Sequence, residues 1–180
     1  MRSGFLTQGM KLMTDKWHRR FLDLAEFYST WSKDPSTKCG AVIVRPDKTV
    51  ASVGYNGFPV GIADTEERLT NRDLKYSLVI HCEMNAVLNA HGSVKGCTLY
   101  TFPFLTCDRC SVHMIAAGIK QVVAPKCPAD KVERWASALN KAHANYTEAG
   151  VGVHLLQREP KDYLNMPSSL QGDGRHPPSS

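Results

Sequence analysis

The 180-residue sequence has no apolar run approaching the roughly 18 to 20 residues that a membrane-spanning helix needs. Its first residues, MRSGFLTQGMKLMTDK, lack a continuous apolar core followed by small cleavage residues, so they do not read as a secretory leader. Both absences point to a soluble, cytoplasmic protein. A strong charge of one sign is lacking too: 22 Lys and Arg stand against 17 Asp and Glu, a net charge of +5. That balance permits a nucleic acid and a small anionic substrate equally. Paired cysteine spacing is nearly absent. Of six cysteines, only Cys107 and Cys110 share a short interval, which excludes a disulfide framework and leaves a C-x-x-C pair. In a reducing compartment such a pair reads as metal-binding or redox. No internal repeat is evident, and 42% hydrophobic residues suffice for one core in a single domain.

The chain does carry periodic signals. From Asp15 to about Ser32, Trp17, Phe21, Leu24, Ala25, Tyr28 and Trp31 recur at helical spacing, with Thr14 or Asp15 as cap. CGAVIV and VASVGYNG read as two antiparallel strands around the turn RPDKT. Residues 58–77 are polar and aperiodic, and read as a long loop. Helices then begin near His81, Cys107 and Asp130, alternating with strands CTLYTF, KQVVAPK and VGVHLLQR. Alternation of this kind implies parallel pairing after the first hairpin and helices on both sheet faces, a three-layer α/β/α domain with a five-stranded mixed sheet.

The chemistry concentrates at two helix starts. His81 and Glu83 open one helix, and Cys107 and Cys110 open the next. Parallel neighbouring strands would bring both starts to one sheet edge, where open α/β sheets place ligands. One imidazole and two thiolates suit a catalytic zinc ion, which keeps a coordination position open. Helix N-termini favour the thiolate form. Glu83 beside that position is placed to move protons, and H-x-E followed by C-x-x-C is the signature of zinc-dependent base deaminases. Cys82 faces elsewhere, and Cys39, Cys97 and Cys127 read as small core residues.

The segments SKDPSTKCGAVIV, VGYNGFPVG, HCEMNAVLNA, VKGCTLY, CDRC and AAGIKQVV resemble the zinc-dependent cytidine and deoxycytidylate deaminase family, in particular its dCMP deaminases. The resemblance runs from about Trp31 to Val123 and more loosely to Leu156. It implies a cytidine deaminase-like sandwich over residues 14–160, between a flexible N-terminus (1–13) and a mobile tail (161–180) rich in Pro, Gly and Ser. It implies Zn²⁺ on His81, Cys107 and Cys110, with Glu83 carrying a proton to ring N3 and then to the leaving amino group as dCMP becomes dUMP, a precursor of thymidylate. By the same resemblance Asn56 meets the sugar hydroxyl and backbone near Cys82 meets the pyrimidine edge. Ser32 and Lys33 are the candidates for the phosphate, a lysine suiting it as a point charge. The family also implies activation by dCTP and inhibition by dTTP, with Mg²⁺, near Gly57, Pro59 and Gly61, and a homo-oligomer, commonly a hexamer.

One departure is evident. The family usually has proline immediately before the first zinc cysteine, whereas Thr106 stands here, after a connection one residue longer. Phe102, Pro103, Phe104 and Leu105 would then form an altered pocket wall. The rival readings are a tRNA or single-strand base deaminase, a zinc module without catalysis, and a thioredoxin-like redox pair. A polynucleotide enzyme would show a basic stripe, but Lys11, Lys16, Arg19 and Arg20 are followed at once by Asp23 and Glu26. A structural zinc site has no use for Glu83, and a redox pair has none for His81.

Overall fold

The computed structural model describes residues 13–157. Lys11, residues 1–12 of the expected N-terminal segment and the expected 161–180 tail lie outside the described residues.

The elements follow in the order α1 (Asp15–Ser29), β1 (Gly40–Val44), β2 (Val50–Tyr55), α2 (Glu66–Thr70), α3 (Arg72–Leu78), α4 (Cys82–Leu88), β3 (Thr98–Phe102), α5 (Asp108–Ala116), β4 (Gln121–Pro125), α6 (Ala129–Glu148) and β5 (Gly152–Leu156). The strands form one mixed sheet in the order β2-β1-β3-β4-β5. β1 is antiparallel to both β2 and β3, while β3, β4 and β5 run parallel.

Side-chain alternation divides the core into two layers. Ala41, Ile43, Leu99, Val122 and Ala124 face α4, α5 and α6, where they pack with Ala86, Met114, Ala142 and Tyr146. Val42, Val44, Tyr100 and Val123 face α1, where they meet Phe21, Leu22 and Ala25. The three-layer reading is therefore met. β1 is buried along its whole length because both its faces are covered. On α4, Ala86 is buried and Met84 and Val87 are partly so, but Leu88 is 64% exposed on the outer side of the helix.

The expected loop at 58–77 is corrected: it contains α2 and α3. Thr65 caps α2 by accepting from Arg68 N, and Asn71 caps α3 by accepting from Asp73 N and Leu74 N. These helices span 5 and 7 residues and bury only Lys75 between them, so they carry no apolar period to be read.

Two glycines set how closely the helices sit on the sheet. A side chain at Gly40 would run into the α1 backbone at Ala25 O and Ser29 N, and one at Gly54 into the α4 backbone at Ala86 N and Cys82 O. Ser52 Oγ donates to Ala86 O, Asn85 Nδ2 donates to Tyr55 O at 2.8 Å, and Asn89 Nδ2 to Val53 O at 3.4 Å, all of which hold α4 against β2.

Candidate metal centre and substrate cleft

The two helix starts meet through a topology slightly different from the one expected. α4 lies over β2 and β1, and α5 follows β3, so the relevant strands share a direction but β1 stands between them. Both helix N-termini still emerge at the same sheet edge. His81 is the N-cap residue of α4 and Cys107 that of α5, where the Cys107 sulfur accepts from Cys110 N at 3.4 Å.

His81 Nδ1 lies 3.5 Å from Cys107 Sγ and 3.4 Å from Cys110 Sγ. All three ligand atoms fall within 4.8 Å of one another. Tetrahedral zinc, with Zn–N near 2.05 Å and Zn–S near 2.3 Å, sets nitrogen and sulfur about 3.5 Å apart. The donor set and its spacing therefore fit a zinc ion bound through Nδ1 of His81, with one position left open.

The protonation pattern readies only Cys107 for metal capture, while His81 and Cys110 each hold a proton that an ion must displace. A hydrogen bond from Cys110, reinforced by His81, lowers Cys107 to about 4, and the hydrogen bond to Cys107 raises His81 to about 9. The hydrogen bond it gives to Cys107, together with burial, pushes the Cys110 thiol up. Binding of the ion would release the protons held by His81 and Cys110.

Glu83 is buried at the first turn of α4, and Cys82 Sγ donates to its Oε2 at 3.4 Å. Burial pushes the Glu83 carboxyl up, against the opposing pull of His81. This is how an acid comes to hold a proton nearer to neutral pH. The main chain at Cys82 begins a helix whose first N–H groups have no partner inside the helix.

These residues open into a cleft of about 660 Å³, its mouth included. Asn56, His81, Cys82, Glu83 and Cys107 line it, and Cys110 does not. Asn56 also holds the backbone before β1: its Oδ1 accepts from Cys39 N at 2.7 Å and its Nδ2 donates to Thr37 O at 3.0 Å. One Oδ1 lone pair remains. Phe102, Phe104 and Leu105 form an apolar wall, and Phe104 packs on Trp135 of α6 with ring centroids 5.2 Å apart. Thr106 is buried behind that wall, and its hydroxyl pairs with Tyr146 OH at 2.8 Å. This pair ties the connection before Cys107 to α6.

Ser32 and Lys33 are placed elsewhere. Ser32 is buried directly behind the cleft lining, its hydroxyl donating to Asn56 O at 2.8 Å and accepting from Asp34 N at 3.2 Å, and Lys33 pairs with Asp64 at 2.9 Å; neither lines the cleft. Gly57 bridges Ile80, Pro59 is exposed, and Gly61 turns at φ 91°; none of them lines the cleft. Sequence reasoning missed Lys75, Tyr76, Arg134 and Trp135, which do line it; Cys39, expected in the core, packs partly buried against the core and lines the cleft as well. Only a basic and an aromatic residue next to each other, in helices of no evident role, marked Lys75–Tyr76 and Arg134–Trp135.

Residues 15–126 match the family described as cytidine and deoxycytidylate deaminase zinc-binding region. An Aliivibrio fischeri protein named as a deaminase in the luxG 3′ region is 38% identical over 144 residues, covering 80% of this chain and 96% of that protein. A probable deoxycytidylate deaminase of Caenorhabditis elegans is 41% identical over 59% of this chain and 56% of its own length. The human deoxycytidylate deaminase is 37% identical over 60% and 64%, so the chain spans less than two-thirds of these animal relatives. The fold resembles that of a cyanophage S-TIM5 dCMP deaminase solved with dCMP and dUMP. The TM-score is 0.63 at 23% identity, over 81% of this chain and 100% of that one.

Proposed function

Because the chain belongs to the cytidine and deoxycytidylate deaminase family, we propose that it hydrolyses dCMP to dUMP with release of ammonia, as a zinc-dependent enzyme. The carrying observation is the triangle of His81, Cys107 and Cys110 beside the buried carboxyl of Glu83 in one cleft. Bound to that triangle, zinc supplies a Lewis acid that makes water nucleophilic near neutral pH.

The remaining work falls to the chain. Water adds at C4 of cytosine, the C4–N4 bond breaks, and the water oxygen becomes the C4 carbonyl of the product. Glu83 accepts one proton from the attacking water and delivers it to ring N3, then takes the second from the new C4 hydroxyl and passes it to the departing amino group, so that ammonia leaves as the C4 carbonyl forms. Burial suits Glu83 to both directions of transfer, since a raised pKa shortens the gap between its acid and base forms at working pH. The free N–H groups at the start of α4, around Cys82, meet the pyrimidine edge, and the remaining lone pair of Asn56 Oδ1 accepts from the sugar hydroxyl. Phe102, Phe104 and Trp135 exclude water from the base.

Supporting this reading are the family membership and the names of relatives called deoxycytidylate deaminases. The proposal extends to regulation, with dCTP and dTTP meeting the exposed loop of Gly57, Pro59 and Gly61 in an assembly of several copies. Side-by-side deamination of dCMP, CMP, deoxycytidine, dCTP and a single-stranded oligonucleotide by zinc-replete protein tests it. A preference for dCMP is expected. Faster turnover of the oligonucleotide would overturn it.

A further inference from the structure

In the first turn of α5 the cap and the metal ligand are the same side chain. Cys107 is the N-cap, and its sulfur accepts from Cys110 N at 3.4 Å, so any shift of the turn carries both sulfurs with it. Helix α6 grips this turn at two places. Tyr146 OH pairs with Thr106 Oγ1 at 2.8 Å, immediately before Cys107, and Asn145 Nδ2 donates to Ser111 Oγ at 2.9 Å, immediately after Cys110. Ser111 Oγ in turn donates to Asp108 O at 2.6 Å, which extends the tie from Asn145 to a carbonyl between the two cysteines. Consecutive residues of α6 thus bracket both sulfur ligands.

Thr106, Ser111 and Tyr146 are all buried, so water does not compete for these bonds, and breaking one leaves a buried polar atom without its partner. Burial pushes the Tyr146 phenol up, against the opposing pull of its bond to Thr106, and so keeps its proton in place. The two helices also share apolar contacts, in which Leu105, Met114 and Ala142 belong to one cluster with Tyr146. Apolar packing is close but non-directional, whereas hydrogen bonds fix angle as well as distance. One tie alone would let the turn swivel about it; two ties fix its rotation. Because the cysteines sit between the ties, that rotation is the movement that changes the distance of each sulfur from His81 on α4.

We propose that Asn145 and Tyr146 are positioning residues of the metal centre, which act from α6 through Ser111 and Thr106 to set the distances from Cys107 and Cys110 to His81. The inference rests on the zinc reading above. None of these four residues lines the cleft, so their influence on a substrate passes through the metal ligands. Asn145 and Tyr146 also lie beyond residues 15–126, which makes the metal geometry depend on a helix outside the matched zinc-binding region. Partners of this kind, one bond removed from the ligands, govern metal affinity by orienting the ligands rather than by touching the ion.

Zinc competition against a chromophoric chelator, together with the visible spectrum of the cobalt-loaded protein, tests the positioning role without turnover. Tyr146→Phe and Asn145→Ala should each raise the zinc Kd about 10- to 100-fold and alter the cobalt d–d and thiolate-to-metal bands. Asn145 is only partly buried, so Asn145→Ala keeps the test open if Tyr146→Phe fails to fold. Thr106→Val combined with Tyr146→Phe separates position from stability: with no hydroxyl orphaned the melting temperature recovers, while the zinc affinity stays low. Thr106→Ser keeps the hydroxyl and should bind zinc as the wild type does. Leu22→Ala, which hollows the α1 face of the core, should lose stability and keep its zinc affinity. Wild-type zinc Kd and cobalt spectrum in both Tyr146→Phe and Asn145→Ala would overturn the inference, as would zinc affinity that recovers with the melting temperature in the double variant. A wild-type protein that binds no zinc would overturn the metal centre itself, and this inference with it.

Discussion

A methyl group added at Gly54 probes the coupling between packing and metal geometry. Its carbon would lie 2.5 Å from Cys82 O and 3.0 Å from Ala86 Cα, both on the backbone of α4. Ordinary contact begins near 3.4 Å, so α4 must retreat by about 0.9 Å. That helix carries His81 and Glu83, while Cys107 and Cys110 stay with α5. Metal sites hold their ligand distances within about 0.2 Å, so the displacement should reduce zinc affinity at least about tenfold. Gly40→Ala is the control on the opposite sheet face, where the methyl carbon would run into Ala25 O still more closely and lie 2.6 Å from Ser29 N, so that it pushes α1 instead. Overpacking of either kind costs about 1 to 3 kcal/mol, a fall in Tm of about 2 to 12 °C for a chain of this size. Thermal melting and zinc competition against a chromophoric chelator should then separate the two variants: both lose stability, and only Gly54→Ala loses zinc affinity. Wild-type zinc affinity in Gly54→Ala, or an equal loss in Gly40→Ala, would show that the seating of α4 on β2 does not set the metal geometry.

Other perturbations follow from the same structure. Tyr146→Phe leaves the buried Thr106 hydroxyl without its partner and should cost about 1 to 3 kcal/mol in chemical denaturation, while Thr106→Val combined with Tyr146→Phe should recover much of that loss; a double variant no better than the single one would show that the pair is not coupled. After chelation, Cys107 stays a thiolate down to about 4, so iodoacetamide should label it first and at a nearly constant rate across about pH 6 to 7.5, whereas buried Cys82, whose thiol burial pushes up, stays unlabelled, as peptide mapping would show. His18 is held below its ordinary 6.5, chiefly by burial and then by the charge of His154, so the unfolded chain binds the extra proton; stability should fall as pH drops from 6.5 toward the lowered value, and His18→Gln should flatten that slope in pH-dependent denaturation. For Asp34 burial pushes upward, but N–H groups of Ser36 and Thr37 and the ammonium of Lys75 outweigh it; its contribution is present above 3.8 and lost as pH falls through the lowered value, a loss that Asp34→Asn should abolish.

The layers were legible because strands buried on both faces and helices with one apolar stripe write themselves into residue order. GAVIV and QVVAP are continuous apolar runs, and α1 repeats its apolar residues at three and four. The candidate metal ligands were legible because a site built at helix starts compresses its residues into H-x-E and C-x-x-C. What failed to show was whatever depends on distant segments meeting. α2 and α3 are held by caps and exposed surface, so no apolar period announces them. Lys33, the expected phosphate ligand, pairs with Asp64 and does not line the cleft, whereas Lys75, 42 residues further on, does. Arg134 and Trp135 reach the cleft only because α6 packs beside α5, where Asn145 Nδ2 donates to Ser111 Oγ at 2.9 Å. No local pattern encodes that docking.

In the proposed reaction Glu83 moves the protons of a deamination carried out beside a zinc ion. Ammonia release from dCMP, measured together with bound zinc for wild type and Glu83→Gln, tests it most directly. Retained zinc with turnover lowered about 10²- to 10⁴-fold is the predicted result. Turnover within a few-fold of wild type in the zinc-loaded variant would contradict it.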